Sequence, residues 1–232
     1  MAICVVLLSV ILLLFTEYAV AHLIKKLYVI NLRRIAKGCL VLTFDDGPSE
    51  KLQQRVLDLL TEYGVKATFF LNAEKAAKYP DCLKILTDSG NEVALHCYKH
   101  LHAWRVPPSA CISDIVKADK LLKNHLTNHN LLRFPYGKMT LSSYLFFRMK
   151  GKNIAFWTHD SGDTHKELPP IASVTNSLDK NNGGVVLMHS FDRGADTYRD
   201  EYVVALTREL IEQAKKKNWK ICTFSELYHN GS

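Results

Sequence analysis

The sequence predicts an α/β fold in which about seven parallel strands form a barrel, preceded by one hydrophobic N-terminal helix. Short apolar runs alternate with helical patterns from residue 38 onwards, and this order implies a parallel sheet with right-handed crossovers. Polar residues follow the ends of successive runs. Seven or eight strand–helix units can close into a barrel. An open doubly wound sheet is the alternative, but no glycine-rich nucleotide loop follows the first strand.

The composition is that of one globular domain with a short additional segment. The chain has 232 residues, of which 47% are hydrophobic and 23% charged, and this balance is not that of a disordered chain. No repeat and no linker rich in glycine, serine or proline divides the sequence, so a second folded domain is not predicted. We therefore divide the chain into an N-terminal segment at 1–37 and a domain at 38–232.

The N-terminal segment begins with an apolar run from Ala2 to Phe15 that only Ser9 interrupts. Extended to about Ile24, the run reaches the roughly 20 residues that a transmembrane helix requires. One interpretation is a signal peptide cleaved after residues 19–21, which would make the protein secreted or exposed at the cell surface. The other is an uncleaved membrane anchor, which we favour because no Lys or Arg precedes the run. The positive-inside rule then places the domain on the cytoplasmic side.

Positive charge is concentrated beside this apolar run. The net charge is +7, and residues 1–37 contribute +4 of it, from five basic residues against Glu17. Two interpretations stay open: attraction to anionic lipid, or a solvated arm without a partner. A nucleic-acid partner is not predicted, because the domain carries only a small basic excess and no nucleic-acid motif. The six cysteines form no CxxC pair, so we expect free thiols, as in a reducing compartment.

Seven strands are predicted from short runs of aliphatic, β-branched and aromatic residues. They are Leu40–Phe44, Val65–Leu71, Glu92–His96, Leu131–Phe134, Asn153–Thr158, Gly184–Met188 and Trp219–Phe224.

Helices are predicted between these runs, where apolar residues recur at spacings of three and four. The first, Leu52–Tyr63, ends before Gly64, a residue suited to the left-handed conformation at a helix C-terminus. Ser109 is a candidate N-cap for the helix after the third strand. The other helices are Pro80–Ser89, Ser109–His125, Ser142–Lys150, Ile171–Lys180 and Glu201–Lys217.

The polar residues at the strand ends form the candidate functional site. They are Asp45 and Asp46 after the first strand, His96 and His100 after the third, Arg133 on the fourth, Asp160 and Asp163 after the fifth, and His189 after the sixth. The carboxyl ends of parallel barrel strands face one rim, where the variable βα loops build active sites. We therefore expect these residues to converge at one mouth.

Two histidines and a carboxylate in this set suit Zn²⁺ or a similar divalent ion. His96 and His100 are four residues apart, so both rings point the same way on one helical turn, and Asp46 is the third candidate ligand. Three protein ligands leave a position open for water, as a catalytic site requires. The ion would acidify that water and polarise a carbonyl. Asp45 and His189 are placed to act as base and acid.

At these residues the chain resembles the polysaccharide deacetylases, carbohydrate esterase family 4, with their NodB-type homology domain. The resemblance covers roughly residues 38–228 and rests on five motifs in order. They are Thr43-Phe44-Asp45-Asp46-Gly47-Pro48-Ser49, His96-Cys97-Tyr98-Lys99-His100, Arg133-Phe134-Pro135-Tyr136-Gly137, Asp160-Ser161-Gly162-Asp163 and Leu187-Met188-His189. The resemblance implies a distorted (β/α) barrel, which agrees with the strand count.

The resemblance also implies a role for each matching residue. These roles are general base for Asp45, metal ligand for Asp46, His96 and His100, partner of the base for Arg133, backbone donor to the oxyanion for Tyr136, partner of the acid for Asp163, general acid for His189, and lining of the acetyl pocket for Leu187. An Arg–carboxylate pair would keep the base ionised and oriented. A carboxylate beside His189 would raise the pKa of that imidazole.

Two positions depart from the family pattern. Cys97 stands where the second motif usually has Ser or Thr, and a thiol is a weaker hydrogen-bond donor for bracing the metal loop. Thr164 stands where the fourth motif usually has a Trp that walls the acetyl pocket. Trp104 or Trp157 could replace that wall, and Trp104 is our candidate substrate-binding residue.

The sequence therefore predicts a metal-dependent hydrolase that removes N-acetyl groups from an amino-sugar polysaccharide or a lipid-linked saccharide. The alternative is a carbohydrate O-acetyl esterase, since the family holds both activities and the same attack by water serves either. An inactive carbohydrate-binding homologue would lack a base, a ligand or an acid, and none is missing here. The expected partners are an N-acetylated saccharide and, through the N-terminal segment, a membrane.

Overall fold

The computed structural model describes residues 15–194 and 196–229. Within this part of the chain, eight strands form one parallel sheet in the order β5-β4-β3-β2-β1-β7-β6, and β8 pairs with the first residues of β1. The strands are β1 (Cys39–Gly47), β2 (Thr68–Asn72), β3 (Glu92–Cys97), β4 (Leu131–Leu132), β5 (Asn153–Ile154), β6 (His159–Asp160), β7 (Gly183–His189) and β8 (Lys220–Ile221). The prediction of a parallel α/β fold is confirmed.

The sheet is a half-barrel, because β5 and β6 form its two edges and no strand pairing joins them in the described residues. The sequence predicts one strand over Asn153–Thr158, and the structure has two short strands on either side of an irregular turn. Ala155 N–H donates to Leu132 O at 2.8 Å, whereas Thr158 N–H donates to Val185 O at 2.9 Å. The segment thus leaves β4 and joins β7, and this crossing keeps the barrel open.

Helices cover the outside of the sheet, and their bounds agree with the predicted ones to within a few residues at most positions. A π-helical turn, Thr16–Val20, leads into α1 (Ala21–Ile35), and a 3₁₀ turn covers Pro135–Gly137. The other helices are α2 (Leu52–Tyr63), α3 (Ala73–Lys78), α4 (Pro80–Asp88), α5 (Pro108–Leu122), α6 (Leu141–Met149), α7 (Ile171–Asn181), α8 (Thr197–Lys216) and α9 (Phe224–His229).

Several helix starts differ from the prediction, and those of α5 and α3 have an identifiable physical cause. The predicted cap Ser109 lies inside α5, which begins one residue earlier with Pro108 and has Pro107 as its N-cap. Proline fixes a helical φ and needs no N–H in the first turn, so it starts the helix by itself. The short helix α3 was not predicted. Its N-cap is Asn72, whose side chain accepts a hydrogen bond from Lys75 N–H at 3.1 Å.

The helix α1 packs on the domain through one of its faces. Ala21 and Leu32 are buried on that face, and the Tyr28 and Tyr144 hydroxyls are 3.3 Å apart across the contact with α6. Just before α1, the Glu17 carboxylate accepts a hydrogen bond from Ser142 N–H at 3.0 Å. The residues after Phe15 are therefore docked on the domain.

The predicted hydrophobic helix lies mostly outside the described residues, since it begins at Ala2 and the described part of the chain begins at residue 15. Among the helices that the structure describes, none is both long enough and apolar enough to cross a bilayer. All five cysteines in the described ranges are free thiols, as expected.

Candidate active site

A cavity of about 400 Å³ opens at the carboxyl ends of β1 and β7. The residues that line it are Asp45, Asp46, His100, Tyr136, Trp157, Asp160, Thr164, Leu187, His189 and Phe191. Most of the predicted site residues are therefore brought together at one mouth. His96, Arg133 and Asp163 are buried directly behind the lining residues that they contact.

The backbone around the cavity is strained. Three residues with a side chain have left-handed φ angles here: Asp46 at 65°, His100 at 56° and Tyr136 at 57°. The other two left-handed non-glycine residues of the described chain are asparagines, which tolerate this conformation well. Conformations of this kind cost on the order of 1–3 kcal/mol each and concentrate at functional sites.

His96 and Asp46 point two hydrogen-bond acceptors at each other. His96 Nδ1 lies 2.6 Å from Arg133 O, and because a carbonyl can only accept, Nδ1 carries the proton. His96 Nε2 therefore presents a lone pair, 3.6 Å from Asp46 Oδ1. Both atoms are buried and have no hydrogen-bond partner in the described structure. Two facing buried acceptors without a donor are what a cation site requires, so these residues fit a metal ion.

Two residues compete for the third position of such a site. Asp46, His96 and Cys97 offer donor atoms that all lie within 4.8 Å of one another. However, burial raises the pKa of the Cys97 thiol well above its usual value, and Asn72 Nδ2 donates to Cys97 Sγ at 3.6 Å. His100 Nε2 lies 3.5 Å from Asp46 Oδ1, and burial lowers the pKa of His100 to about 4. A neutral imidazole is ready to bind a metal, whereas a protonated thiol is not.

Arg133 holds Asp45 from inside the barrel. Its Nη1 donates to Asp45 Oδ1 at 2.8 Å and to Thr43 Oγ1 at 2.8 Å. The guanidinium is fully buried and lies over the Phe70 ring, 4.0 Å from the centroid. The pair fixes one Asp45 oxygen in direction, and the second oxygen, Oδ2, lies 3.9 Å from His96 Nε2.

On the opposite wall, His189 Nδ1 lies 2.9 Å from Asp163 Oδ1. Asp163 also accepts from Arg193 Nη2 at 2.8 Å and from His189 N–H at 3.0 Å, both on Oδ2. Burial works against protonation of His189, but the hydrogen bond and charge of Asp163, with the charges of Asp45 and Asp46, raise the His189 pKa to about 9. This imidazole is therefore a cation at neutral pH.

We expect Asp163→Asn to move the titration of His189 from about pH 9 to its ordinary pKa of 6.5 or below. The amide removes the carboxylate charge while burial still disfavours the imidazolium. The apparent pKa would be read from the His189 ring signal in an NMR titration. Since the folded pKa is raised, the stabilisation from this pair is fully present below pH 6.5 and is lost as the pH rises through 9. An unchanged titration in Asp163→Asn would contradict this origin of the shift, and the surface variant Asp179→Asn is the control.

Asp114 braces the loop that carries His100. One carboxylate oxygen of Asp114 accepts from Tyr98 N–H at 3.0 Å, and the other accepts from Lys99 N–H at 2.8 Å. Asp114 is a buried residue of α5, the first helix after this loop. A carboxylate from a different element therefore braces the loop that follows Cys97.

We expect Asp114→Asn to weaken the binding of a divalent metal ion, with zinc as the probe, by about 10-fold, because outer residues that orient metal ligands typically contribute that much. The amide would lose one acceptor and turn an NH₂ group towards a backbone N–H. Competition with a chromophoric chelator measures the affinity. Asp119→Asn is the matched control, since Asp119 lies on the same helix but pairs with Lys152. Equal zinc affinity in both variants would exclude the bracing role.

Of the two tryptophans considered for the cavity wall, only Trp157 lines the cavity. Trp104 does not line the cavity; its Nε1 donates to Met139 O at 3.0 Å and its ring packs edge-on against Tyr18. Trp157, the alternative to Trp104, does line the cavity beside Thr164. Asp160 also lines it, while its Oδ1 accepts from Gly162 N–H at 2.9 Å.

Lys75 and Phe191 lie at the site but were not predicted from the sequence. Lys75 Nζ donates to Asp46 O at 3.0 Å and so supports the strained backbone there. The same ammonium lies over the Phe191 ring, 4.4 Å from its centroid, and Phe191 lines the cavity. The short helix α3 carries Lys75, and no motif marks either residue. The one sequence signal for Phe191 is its position two residues after the predicted site residue His189.

Comparison with known proteins yields consistent matches. A family model described as polysaccharide deacetylase matches residues 33–147. A peptidoglycan-N-acetylglucosamine deacetylase of Bacillus cereus is 30% identical over 196 residues, which are 83% of this chain and 69% of the relative. A second one from the same organism is 29% identical over 190 residues, 81% of this chain and 87% of the relative. A crystal structure of a peptidoglycan N-acetylglucosamine deacetylase aligns with a TM-score of 0.73 at 27% identity, covering 82% of this chain and 88% of that one.

Proposed function

Because the chain belongs to the polysaccharide deacetylase family, we propose that it hydrolyses the N-acetyl groups of an amino-sugar polysaccharide or of a lipid-linked saccharide. Relatives named as peptidoglycan-N-acetylglucosamine and chitooligosaccharide deacetylases support this substrate class. The observation that carries the proposal is the pair of buried, facing acceptors Asp46 Oδ1 and His96 Nε2. They adjoin one cavity that also contains a carboxylate and an imidazolium.

We assign the metal site to Asp46, His96 and His100, and zinc to the site, because two imidazoles and one carboxylate are a common donor set of catalytic zinc. When bound, the ion supplies Lewis acidity, which polarises an acetyl carbonyl and promotes the ionisation of water. The remaining chemistry belongs to side chains and backbone groups of this chain.

Asp45 takes a proton from the attacking water in this proposal. Its hydrogen bond from Arg133 fixes one carboxylate oxygen in direction. The backbone N–H of Tyr136, on the wall of the cavity, donates to the oxyanion, a contact typically worth ~3 kcal/mol. His189 then gives its proton to the departing amine, which cannot leave as an anion. Leu187 and Trp157 offer apolar surface to the acetyl methyl group.

Acetate release from N-acetylglucosamine oligomers by the full chain tests the proposal. We expect release in the presence of zinc, loss with a chelator and recovery when zinc is restored. An O-acetylated xylan in parallel tests the esterase alternative. If only the xylan is deacetylated, the esterase replaces our proposal. If neither substrate reacts but the oligomers bind, the inactive homologue replaces it.

His96→Ala should lose both zinc binding and turnover, because Nε2 of this buried residue is one of the two facing acceptors. Zinc content after dialysis and acetate release would be measured together. His125→Ala on the polar connection after α5 is the control. A His96→Ala enzyme with full activity would overturn the metal assignment.

We also propose that the N-terminal segment associates with a membrane surface. On α1 and the turn before it, an apolar stripe faces outward at helical spacing, with Val20 36%, Leu23 56%, Leu27 58% and Ile30 62% exposed. Exposed Arg33, Arg34 and Lys37 follow it. A helix with an apolar face and basic flanks lies in the interface of an anionic bilayer.

Cosedimentation with vesicles tests the association. The full chain should bind phosphatidylcholine vesicles that contain phosphatidylglycerol more strongly than pure phosphatidylcholine ones. A triple change of Leu23, Leu27 and Ile30 to Ser should weaken the binding, because it removes the exposed apolar area. Equal binding of the triple variant and the unmodified chain would contradict a contact through this stripe.

A further inference from the structure

We propose that Lys25 of α1 is a positioning residue for the catalytic cavity, which makes the N-terminal helix part of the active site. Lys25 holds the turn that carries Tyr136 and the indole of Trp157. The inference rests on the proposed deacetylase function for its kinetic readout, and it deepens that function. It places a residue that affects catalysis at a position before residue 33, where the match to the family model begins.

The contact joins two parts of the cavity wall through one ammonium. Lys25 Nζ donates to Gly137 O at 3.0 Å, across 112 residues of sequence. The same atom lies over the Trp157 ring, 4.9 Å from its centroid. Gly137 directly follows Tyr136, and both Tyr136 and Trp157 line the cavity. Moving the Lys25 amine would therefore displace the predicted oxyanion donor and the apolar wall together.

Gly137, Trp157 and Lys25 are tightly packed at this contact. A Cβ atom added to Gly137, whose φ is +57°, would lie 2.6 Å from Trp157 Cη2 and 2.8 Å from Lys25 Nζ. The indole and the amine thus lie too close to Gly137 for any side chain to fit at position 137. In such a tight contact, a change in one member is transmitted to the other two.

The Lys25 amine carries a desolvation cost at this position. Burial and the neighbouring charge of Lys138 lower the pKa of Lys25 to about 8, although Asp160 acts in the opposite direction. An apolar side chain of the same length would fill this space without that cost. What the amine adds is a donor to the Gly137 carbonyl and a cation over the indole.

Contacts on both sides of Lys25 hold its helix in register with the domain. Glu17 accepts from the Ser142 hydroxyl and N–H on one side, and Tyr28 meets Tyr144 on the other. Both partners belong to α6, which follows the Tyr136 turn along the chain. The helix therefore presents Lys25 to the turn from a docked position.

Lys25→Met in the full chain tests the proposal, with Lys26→Met as the matched control. The control makes the same change at the next residue of the helix, which is exposed. We expect Lys25→Met to lower kcat for acetate release by about 10-fold, since small misplacements of catalytic groups cost rates of this order. KM and zinc affinity should stay within twofold, and Lys25→Arg should recover most of kcat. Lys26→Met should match the unmodified enzyme.

Hydrogen exchange provides a readout that needs no substrate. Gly137 N–H donates to Phe134 O at 2.9 Å and Lys138 N–H to Pro135 O at 3.0 Å. Lys25→Met should accelerate exchange of these two amides by about 10-fold while Lys26→Met leaves them unchanged. If the exchange rates and kcat of the two methionine variants agree, the positioning role is wrong. If Lys25→Met and Lys25→Arg lose activity equally, it is also wrong. If the unmodified chain releases no acetate but amide exchange is still faster in Lys25→Met, the positioning role stands and the proposed deacetylase function is wrong.

Discussion

Asp45→Asn is expected to lower kcat by about 10³-fold, within the range that general base catalysis contributes, while zinc affinity stays within a few-fold. Asparagine has nearly the shape of aspartate, and its amide oxygen can still accept from Arg133 Nη1, as Asp45 Oδ1 does at 2.8 Å. It cannot take a proton from water. The two facing acceptors of the metal site belong to Asp46 and His96 and not to Asp45, so the zinc ion should remain bound. Single-turnover acetate release and chelator competition measure the two properties.

The surface variant Asp58→Asn on α2 controls for the chemical change itself. A thermal unfolding curve separates lost chemistry from lost structure, because Asp45→Asn leaves the buried Arg133 with a neutral partner. Activity of Asp45→Asn above one tenth of the unmodified enzyme would remove Asp45 from the role of base. Loss of zinc from this variant would instead indicate that Asp45 belongs to the metal site.

Arg133→Met is expected to lower the free energy of unfolding by about 3–5 kcal/mol, the range for breaking a buried ion pair. The change leaves Asp45 as a buried charge without its guanidinium partner, and Phe156 O loses a donor at 3.2 Å. The fully buried side chain would be replaced by a flexible apolar one of lower volume. Urea unfolding followed by circular dichroism measures the difference.

Arg55→Met is the matched comparison, because Arg55 Nη2 lies 2.7 Å from Glu201 Oε2 but at the surface. Exposed pairs of this kind contribute about 0–1 kcal/mol. Adding Asp45→Asn to Arg133→Met should restore part of the lost stability, since it removes the unpaired charge. If Arg133→Met costs no more than Arg55→Met, the pair does not stabilise the fold. If the second change gives no recovery, the loss comes from packing alone.

The parts of the site that follow from sequence are those carried at strand ends. Asp45, Asp46 and His189 could be grouped because parallel strands end at one rim, and β1 and β7 are indeed neighbours with Asp45 opposite His189. The alternation of apolar runs and helical patterns likewise predicted the sheet. The open edge was not predictable, because the split of one apolar run depends on hydrogen bonds to Leu132 and Val185.

The supports of the site come from places where no local pattern marks them. Asp114 reaches the Tyr98 N–H from 16 residues away, and Lys75 reaches Asp46 O from 29. Each is an ordinary charged residue on an amphipathic helix, so its spacing predicts only a solvated face. Trp104 was preferred to Trp157 from the sequence, and only the packing against Tyr18 or around the cavity separates them. Such residues depend on tertiary contacts.

The docking of α1 also bears on how the chain is made. Its partners lie far ahead in sequence, with 112 residues between Lys25 and Gly137, 116 between Tyr28 and Tyr144, and 125 between Glu17 and Ser142. A ribosome adds ~5–20 residues per second, so α1 emerges roughly 6–25 s before its docking surface is complete. Throughout that interval both of its apolar sides are uncovered. The nascent helix is thus available to targeting factors or to lipid at a stage when the folded domain does not yet exist to compete for it.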